Sequence, residues 1–153
     1  MGVSTTKERL RLLNVALDSG ISHFDTAPYY GYGEAERLLG QFLPGKRDQV
    51  TITTKYGIQP SALLQARWLN LLARRALKTL PFLRRAIRRN SSHLVQKPTF
   101  SASEARSSLD RSLISLNTDY IDLFLLHEPL LEDATSDEIL KFLNTELDRG
   151  RIR

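Results

Sequence analysis

Apolar positions along this chain alternate between helix spacing and short strand-like runs. Thr5-Thr6-Lys7-Glu8 has the form of a capping box, with Thr5 as N-cap and Glu8 reaching back. Leu10, Leu13, Ala16 and Leu17 follow as a helical stripe, and Gly20 stops it. The run 21–25 predicts a strand that ends in Asp25. A loop with Pro28, Gly31, Gly33 and three tyrosines leads to Glu34, where Ala35, Leu38, Leu39, Phe42 and Leu43 give a second helix. The turn Pro44-Gly45-Lys46-Arg47 ends that helix, and the β-branched run 49–55 predicts a second strand closing on Lys55. Ser101-Ala102-Ser103-Glu104 forms another box, opening a helix with Ala105, Leu109, Leu113 and Leu116 inward and Asn117 as C-cap. Residues 120–126 are nearly all apolar, as expected of a strand buried on both faces, and the run ends in His127. A third box, Thr135-Ser136-Asp137-Glu138, starts a helix with Ile139, Leu140, Phe142, Leu143 and Leu147 as its apolar positions. Gly150 ends it, and residues 151–153 open a further strand. Alternating helices and strands imply an α/β fold with parallel strands and right-handed crossovers.

Composition changes this picture in one place. At 153 residues the chain has a one-domain length with ordinary apolar and charged fractions. It lacks cysteine, which excludes disulfides, thiolate catalysis and cysteine-bound zinc, and no histidines stand at ligand spacing, so no metal site is expected. No apolar run is long enough to span a membrane and residues 1–7 are polar, without a signal-peptide apolar region, so a cytoplasmic location is the expected default and no membrane partner is expected. The net charge of +5 is local: residues 59–103 hold nine basic residues and no acidic one. We read about 60–98 as an insertion of one or two amphipathic helices, with Leu64, Trp68, Leu71 and Leu72 on one face. Pro81 breaks the pattern, and Leu83, Ala86 and Ile87 resume it. Trp68 reads as a packing anchor, and His93 as a solvated turn residue. An insertion between a strand and its following helix belongs to the face where the strands end. It reads as a solvated lid, as a lid selective for anionic substrates, or as a contact for membrane or nucleic acid through Arg84, Arg85, Arg88 and Arg89.

The candidate chemistry lies at the strand ends. In parallel α/β folds ligands gather at the carboxyl edge of the sheet. Asp25, Lys55 and His127 would all reach that edge, with Tyr30 arriving from the first loop. A structural ion pair between Asp25 and Lys55 would satisfy both groups, yet would leave the tyrosine unexplained. His23, within a strand, reads as a packed or hydrogen-bonded histidine. A free phenol has a pKa of about 10, too high for an efficient acid near neutrality. A lysine held by a carboxylate would favour the phenolate, and an imidazole could donate to an oxygen that becomes an alkoxide. A carbonyl activated in this way needs a hydride, which no side chain supplies and a nicotinamide would.

The segments F-D-T-A-P-Y-Y-G-Y-G-E-A-E-R-L-L-G from Phe24, I-T-T-K-Y-G from Ile52 and S-L-x-x-L-x-T-D-Y-I-D-L-F-L-L-H from Ser112 resemble the aldo-keto reductase family. The similarity spans most of the chain apart from the basic insertion. It implies a (β/α)8 TIM barrel that reduces aldehydes or ketones with NADPH and oxidises alcohols in reverse. By resemblance Tyr30 is the general acid, Lys55 and Asp25 tune it, and His127 orients a small-molecule carbonyl substrate. Asp25 would also touch the cofactor weakly.

A full barrel needs eight strands and about 250 residues. The resemblance therefore implies a partial (β/α)8 barrel, roughly strands 2 to 4 with their helices. Residues 1–153 would form a single incomplete domain lacking the first strand and the second half. Most cofactor contacts are expected in that missing half, and the missing half or another chain is needed to complete the site. The expectation is a marginally stable chain with little reductase activity of its own. The alternative is a non-catalytic barrel remnant serving as a binding or assembly module. No nucleic-acid partner is expected.

Overall fold

The computed structural model describes residues 5–60, 95–96 and 100–153. The chain starts with α1 (Thr6–Asp18), capped as its sequence implies: Thr5 N donates to Glu8 Oε2 (2.5 Å) and Glu8 N to Thr5 Oγ1 (3.2 Å). Gly20, at φ 89°, turns the chain into β1 (His23–Asp25), shorter than the apolar run suggested, because Ile21 lies exposed before it. A 3₁₀ turn, Tyr30–Gly33, then delivers α2 (Glu34–Phe42). A second 3₁₀ turn, Arg47–Gln49, takes the start of the predicted second strand, so β2 runs Thr51–Tyr56. Lys55 is therefore its penultimate residue, not its last, because Tyr56 still pairs with Leu126.

Strands β3 (Gln59–Pro60) and β4 (Val95–Gln96) pair antiparallel, bracketing the segment read as the basic insertion. The predicted insertion helices, with Trp68, His93 and the arginines 84, 85, 88 and 89, lie outside the described residues. Helix α3 (Ala102–Leu116) follows, then β5 (Leu123–Leu126), the short α4 (Leu131–Ala134) and α5 (Asp137–Asp148).

The main sheet is parallel, in the order β1-β2-β5. A single parallel bridge pairs Ile121 with Ile152, within the residues 151–153 read as opening a strand. Helices α2, α3 and α5 cover one face through Leu39, Phe42, Leu109, Leu116, Ile139 and Phe142, packed on Ile52, Tyr56 and Phe124. The other face carries His23, Asp25, Lys55, Leu123 and Leu125, the alternate positions of each strand. Leu123 and Leu125 are 42% and 43% exposed, so the described residues cover one face of the apolar run of β5. A strand can read as uniformly apolar while only one of its faces is covered within this chain.

Two of the helix caps differ from the sequence reading. Ser101 Oγ accepts from Glu104 N (3.3 Å), but Ser101 N donates to the Tyr56 hydroxyl (3.2 Å) instead of to Glu104. Ser136 occupies the N-cap of α5 without a side-chain capping bond, and Thr135 Oγ1 donates back to Leu131 O (2.9 Å). The Glu138 carboxylate is drawn to a neighbouring helix, accepting from Ala102 N (2.7 Å). A free helix N-terminus packed nearby is a better partner for this anion than its own first turn.

Candidate active site

Asp25 is the last residue of β1, and Lys55 projects from the same sheet face one diagonal step along β2. The Lys55 ammonium donates to Asp25 Oδ1 and to the Thr26 carbonyl (3.1 Å). The lysine side chain is 14% exposed, whereas the aspartate side chain is 50% exposed. The aspartate therefore keeps a solvent-facing edge while fixing the lysine. The ion pair between Asp25 and Lys55 that the sequence allowed is therefore formed.

Tyr30 reaches the same edge because the loop after β1 turns sharply. Gly31 and Tyr32 adopt left-handed conformations (φ 59° and 58°), and Gly33, at φ 84°, caps α2. Glycine takes such angles at little cost. At Tyr32 they are uncommon for a residue with a Cβ. The tyrosine's backbone is held by Arg37, whose guanidinium donates to the Tyr32 carbonyl (3.4 Å) and to Glu34 (3.2 Å). Its ring meets Tyr29 edge-on at 6.0 Å. The Lys55 Nζ lies 4.9 Å from the centre of the Tyr30 ring.

His127 follows directly after β5, and its backbone N–H donates to Tyr56 O (2.7 Å), extending the ladder by one residue. Its ring meets Tyr30 edge-on, with centroids 6.2 Å apart and an interplanar angle of 87°. Burial, and then the Lys55 cation, lower its pKa from the ordinary histidine value, favouring the neutral ring. Its Nδ1 is buried with no hydrogen-bond partner among the described residues. A stranded N–H donor is rarer and costlier than a stranded lone pair. With the proton on Nε2, only a lone pair is left without a partner. The three residues predicted at the strand ends and the loop tyrosine are thus brought together, linked in one chain of contacts from Asp25 through Lys55 and Tyr30 to His127.

Two contributors escaped the sequence reading. The Thr26 carbonyl, the second acceptor for Lys55, is a backbone group with no residue-type signature. Gly57, at φ 137°, lets β2 pass close beneath His127: a Cβ there would fall 2.9 Å from the His127 carbonyl and 3.0 Å from the Phe100 ring. A glycine two residues past a strand-end lysine was the available signal. Among the described residues no group of three or more His, Cys, Asp or Glu gathers to hold a metal, and no helix is long and apolar enough to cross a membrane.

The family model described as Aldo/keto reductase family matches residues 2–153. The aldo-keto reductase YhdN of Bacillus subtilis is 32% identical over 156 residues, covering 99% of this chain and 37% of that protein. The 6-dehydroglucose reductase of Novosphingobium aromaticivorans is 29% identical, covering 97% of this chain and 40% of that protein. Among solved structures, a Pseudomonas aeruginosa protein assigned to the aldo-keto reductases superposes with a TM-score of 0.69 at 28% identity, over 98% of this chain and 47% of its own. The holo form of a Bacillus halodurans aldo-keto reductase gives 0.72 at 24% identity, a likeness of fold, over 99% of this chain and 41% of its own. The chain therefore spans less than half the length of the relatives it matches.

Proposed function

The chain belongs to the aldo/keto reductase family, and from that premise we propose that the protein carrying it reduces the carbonyl of a small aldehyde or ketone with NADPH. The observation that carries this reading is the placement of the Tyr30 ring between the Lys55 ammonium and the neutral His127 ring. Family membership supports oxidoreduction of a carbonyl, with a nicotinamide as the usual cofactor. The choice of NADPH and the residue roles are our assignment.

In this proposal Tyr30 gives its phenolic proton to the carbonyl oxygen as that oxygen becomes an alkoxide. Lys55 stabilises the negative charge left on the phenol, and Asp25 holds Lys55 in place. His127 donates from Nε2 to the same carbonyl oxygen and orients it. A bound nicotinamide supplies the hydride. The half-exposed Asp25 carboxylate is the described group that fits the reacting end of such a cofactor, as a weak contact. The remaining cofactor contacts we assign to parts of the barrel beyond these strands. We assign β1, β2 and β5 to strands 2 to 4 of a (β/α)8 barrel, supported by their parallel order and by the parallel bridge from Ile121 to Ile152. A cytoplasmic location fits this chemistry.

The test is Tyr30→Phe in the intact protein, with reduced nicotinamide and an aromatic aldehyde. Loss of one positioned acid should lower kcat by about 100-fold or more while cofactor binding, followed by fluorescence, stays unchanged. Turnover that survives the substitution would leave the four residues as architecture only, the role expected of a non-catalytic barrel module.

A further inference from the structure

On the open face of the sheet, one layer below the Asp25–Lys55 pair, lies a second cross-strand pair. His23 Nε2 lies 2.9 Å from Thr53 Oγ1. The register makes the two pairs geometric copies. His23 stands opposite Thr51 and bonds two residues further along β2, to Thr53; Asp25 stands opposite Thr53 and bonds two residues further, to Lys55. Both side chains on β1 therefore lean the same way across β2, stacked at positions i and i+2.

We propose that His23 is a positioning residue for the carbonyl reduction assigned to this site, setting through Thr53 the diagonal lean by which Asp25 reaches Lys55. The inference rests on that functional reading. Two observations carry it. The two pairs share one sheet face and one register offset. Thr53 is 2% exposed, and its hydroxyl has no other side-chain partner among the described residues; its other neighbour in the layer, Leu123, has no polar group to offer. The His23 ring meets that single hydroxyl in the layer directly beneath the Asp25–Lys55 pair. Without it, the Asp25 carboxylate, already half exposed, is free to turn toward solvent and release the ammonium that Tyr30 needs.

The experiment is a double-mutant cycle in the intact protein, with His23→Phe, Thr53→Val and the double variant, alongside His23→Asn and Tyr30→Phe. The substrate is a nitro-substituted benzaldehyde with reduced nicotinamide, followed by the loss of cofactor absorbance. His23→Phe and Thr53→Val should each lower kcat by about ten-fold with KM for the aldehyde within about two-fold, and the double variant should be no worse than either. His23→Asn, which can still bond the hydroxyl, should recover most of the rate. A His23→Phe variant with unchanged kcat, additive losses in the double variant, or a His23→Asn as slow as His23→Phe would each overturn the proposal. If His23→Phe fails to fold, Thr53→Val and His23→Asn carry the test alone, and unchanged kcat in Thr53→Val overturns it. The Tyr30→Phe control separates the two claims. If it abolishes turnover while the cycle is flat, only the role of His23 falls. If it leaves turnover intact, or if the unaltered protein turns over no aldehyde, the functional reading falls and the role of His23 falls with it.

Discussion

Two carboxylates on the helix-covered side of the sheet are buried alike and pushed in opposite directions. Glu36, 3% exposed on α2, accepts from Thr54 Oγ1 (2.7 Å). Burial raises its pKa above the ordinary value, and the hydroxyls of Thr54 and Ser112 with the charges of Arg111 and Arg37 do not offset the lost hydration. Glu146, fully buried on α5, meets the same penalty of burial. It is nonetheless held below its ordinary value by the hydrogen bond and charge of Arg151 (2.6 Å), with Arg106 (2.8 Å) and Arg149 (3.0 Å) adding to the effect. The signs follow by linkage. Folding tightens proton binding at Glu36, so its contribution to stability declines as pH rises from the ordinary carboxylate value through the raised one. Folding loosens proton binding at Glu146, so its contribution is present above the ordinary value and lost as pH falls through the lowered one. Glu36→Gln keeps an acceptor for the Thr54 hydroxyl and removes the titration. Its stability relative to the wild type should therefore rise as pH is taken from acid to neutral, measured by urea unfolding across that range. A difference that stays flat with pH would show that Glu36 does not titrate between those limits. Neither glutamate could be given its sign from sequence, because the partners come from β2, from α3 and from the end of the chain.

At the scale of elements, the packing of α2 on α3 turns on one missing methyl group. A Cβ on Gly40 would fall 2.2 Å from the Ser115 carbonyl and 3.1 Å from Leu116 Cα. Both are backbone atoms and cannot swing away. Gly40→Ala should force the helices apart and cost at least about 1–3 kcal/mol, despite alanine's better helix propensity. The measurement is again urea unfolding, and a variant more stable than the parent would mean that the two helices do not cross this closely. The helices themselves were legible in the sequence because their apolar stripes repeat every turn. Their ends were legible where a cap is closed within a few residues, as at Thr5–Glu8 and at Asn117, which takes the left-handed conformation (φ 51°) that an asparagine cap allows. The reading failed where a capping group found a better partner far along the chain. Glu138 serves Ala102, and the Tyr56 hydroxyl takes the N–H of Ser101 and donates to its carbonyl (3.1 Å). That burial pushes the Tyr56 pKa up to about 12, so the hydroxyl stays a donor throughout the working range. The strand-end residues were legible for a different reason. A parallel α/β order places every strand end on one edge, so Asp25, Lys55 and His127 needed no knowledge of distance to be grouped. The acceptor at the Thr26 carbonyl, the close pass at Gly57 and the side-by-side lean of His23 and Asp25 depend on register, which the sequence pattern did not specify.

Across the whole molecule, the two edges of the sheet are built from different kinds of interaction, and that difference can be tested. The carboxyl edge carries Asp25, Tyr30, Lys55 and His127, with a half-exposed carboxylate, a largely covered ammonium and a partly buried imidazole whose pKa is lowered. The amino edge is locked by Arg47. Its guanidinium donates to Asp122 Oδ2 (2.6 Å), Thr118 Oγ1 (3.0 Å) and the carbonyls of Val50 and Tyr120 (3.0 Å each). Asp122 Oδ2 also accepts from Ile52 N (2.8 Å), and the Tyr120 ring lies between the guanidiniums of Arg47 (3.7 Å) and Arg153 (3.6 Å). These bonds join the entry of β2 to the segment leading into β5, so they set the spacing of the two strands without approaching the groups at the carboxyl edge. Barrels of this class commonly divide labour in this way, with chemistry at the carboxyl edge and stability at the other. Arg47→Met should cost about 3 kcal/mol, because it strips the partner from a largely buried carboxylate. The kcat and KM of the intact protein for an aldehyde, measured well below the variant's melting temperature, should remain within about two-fold of the parent. Lys55→Met should do the reverse, holding the melting temperature nearly constant while kcat collapses. If Arg47→Met lowered kcat as severely as Lys55→Met, the two edges would be coupled through β2, and the sheet would be transmitting strain along its strands instead of insulating one edge from the other.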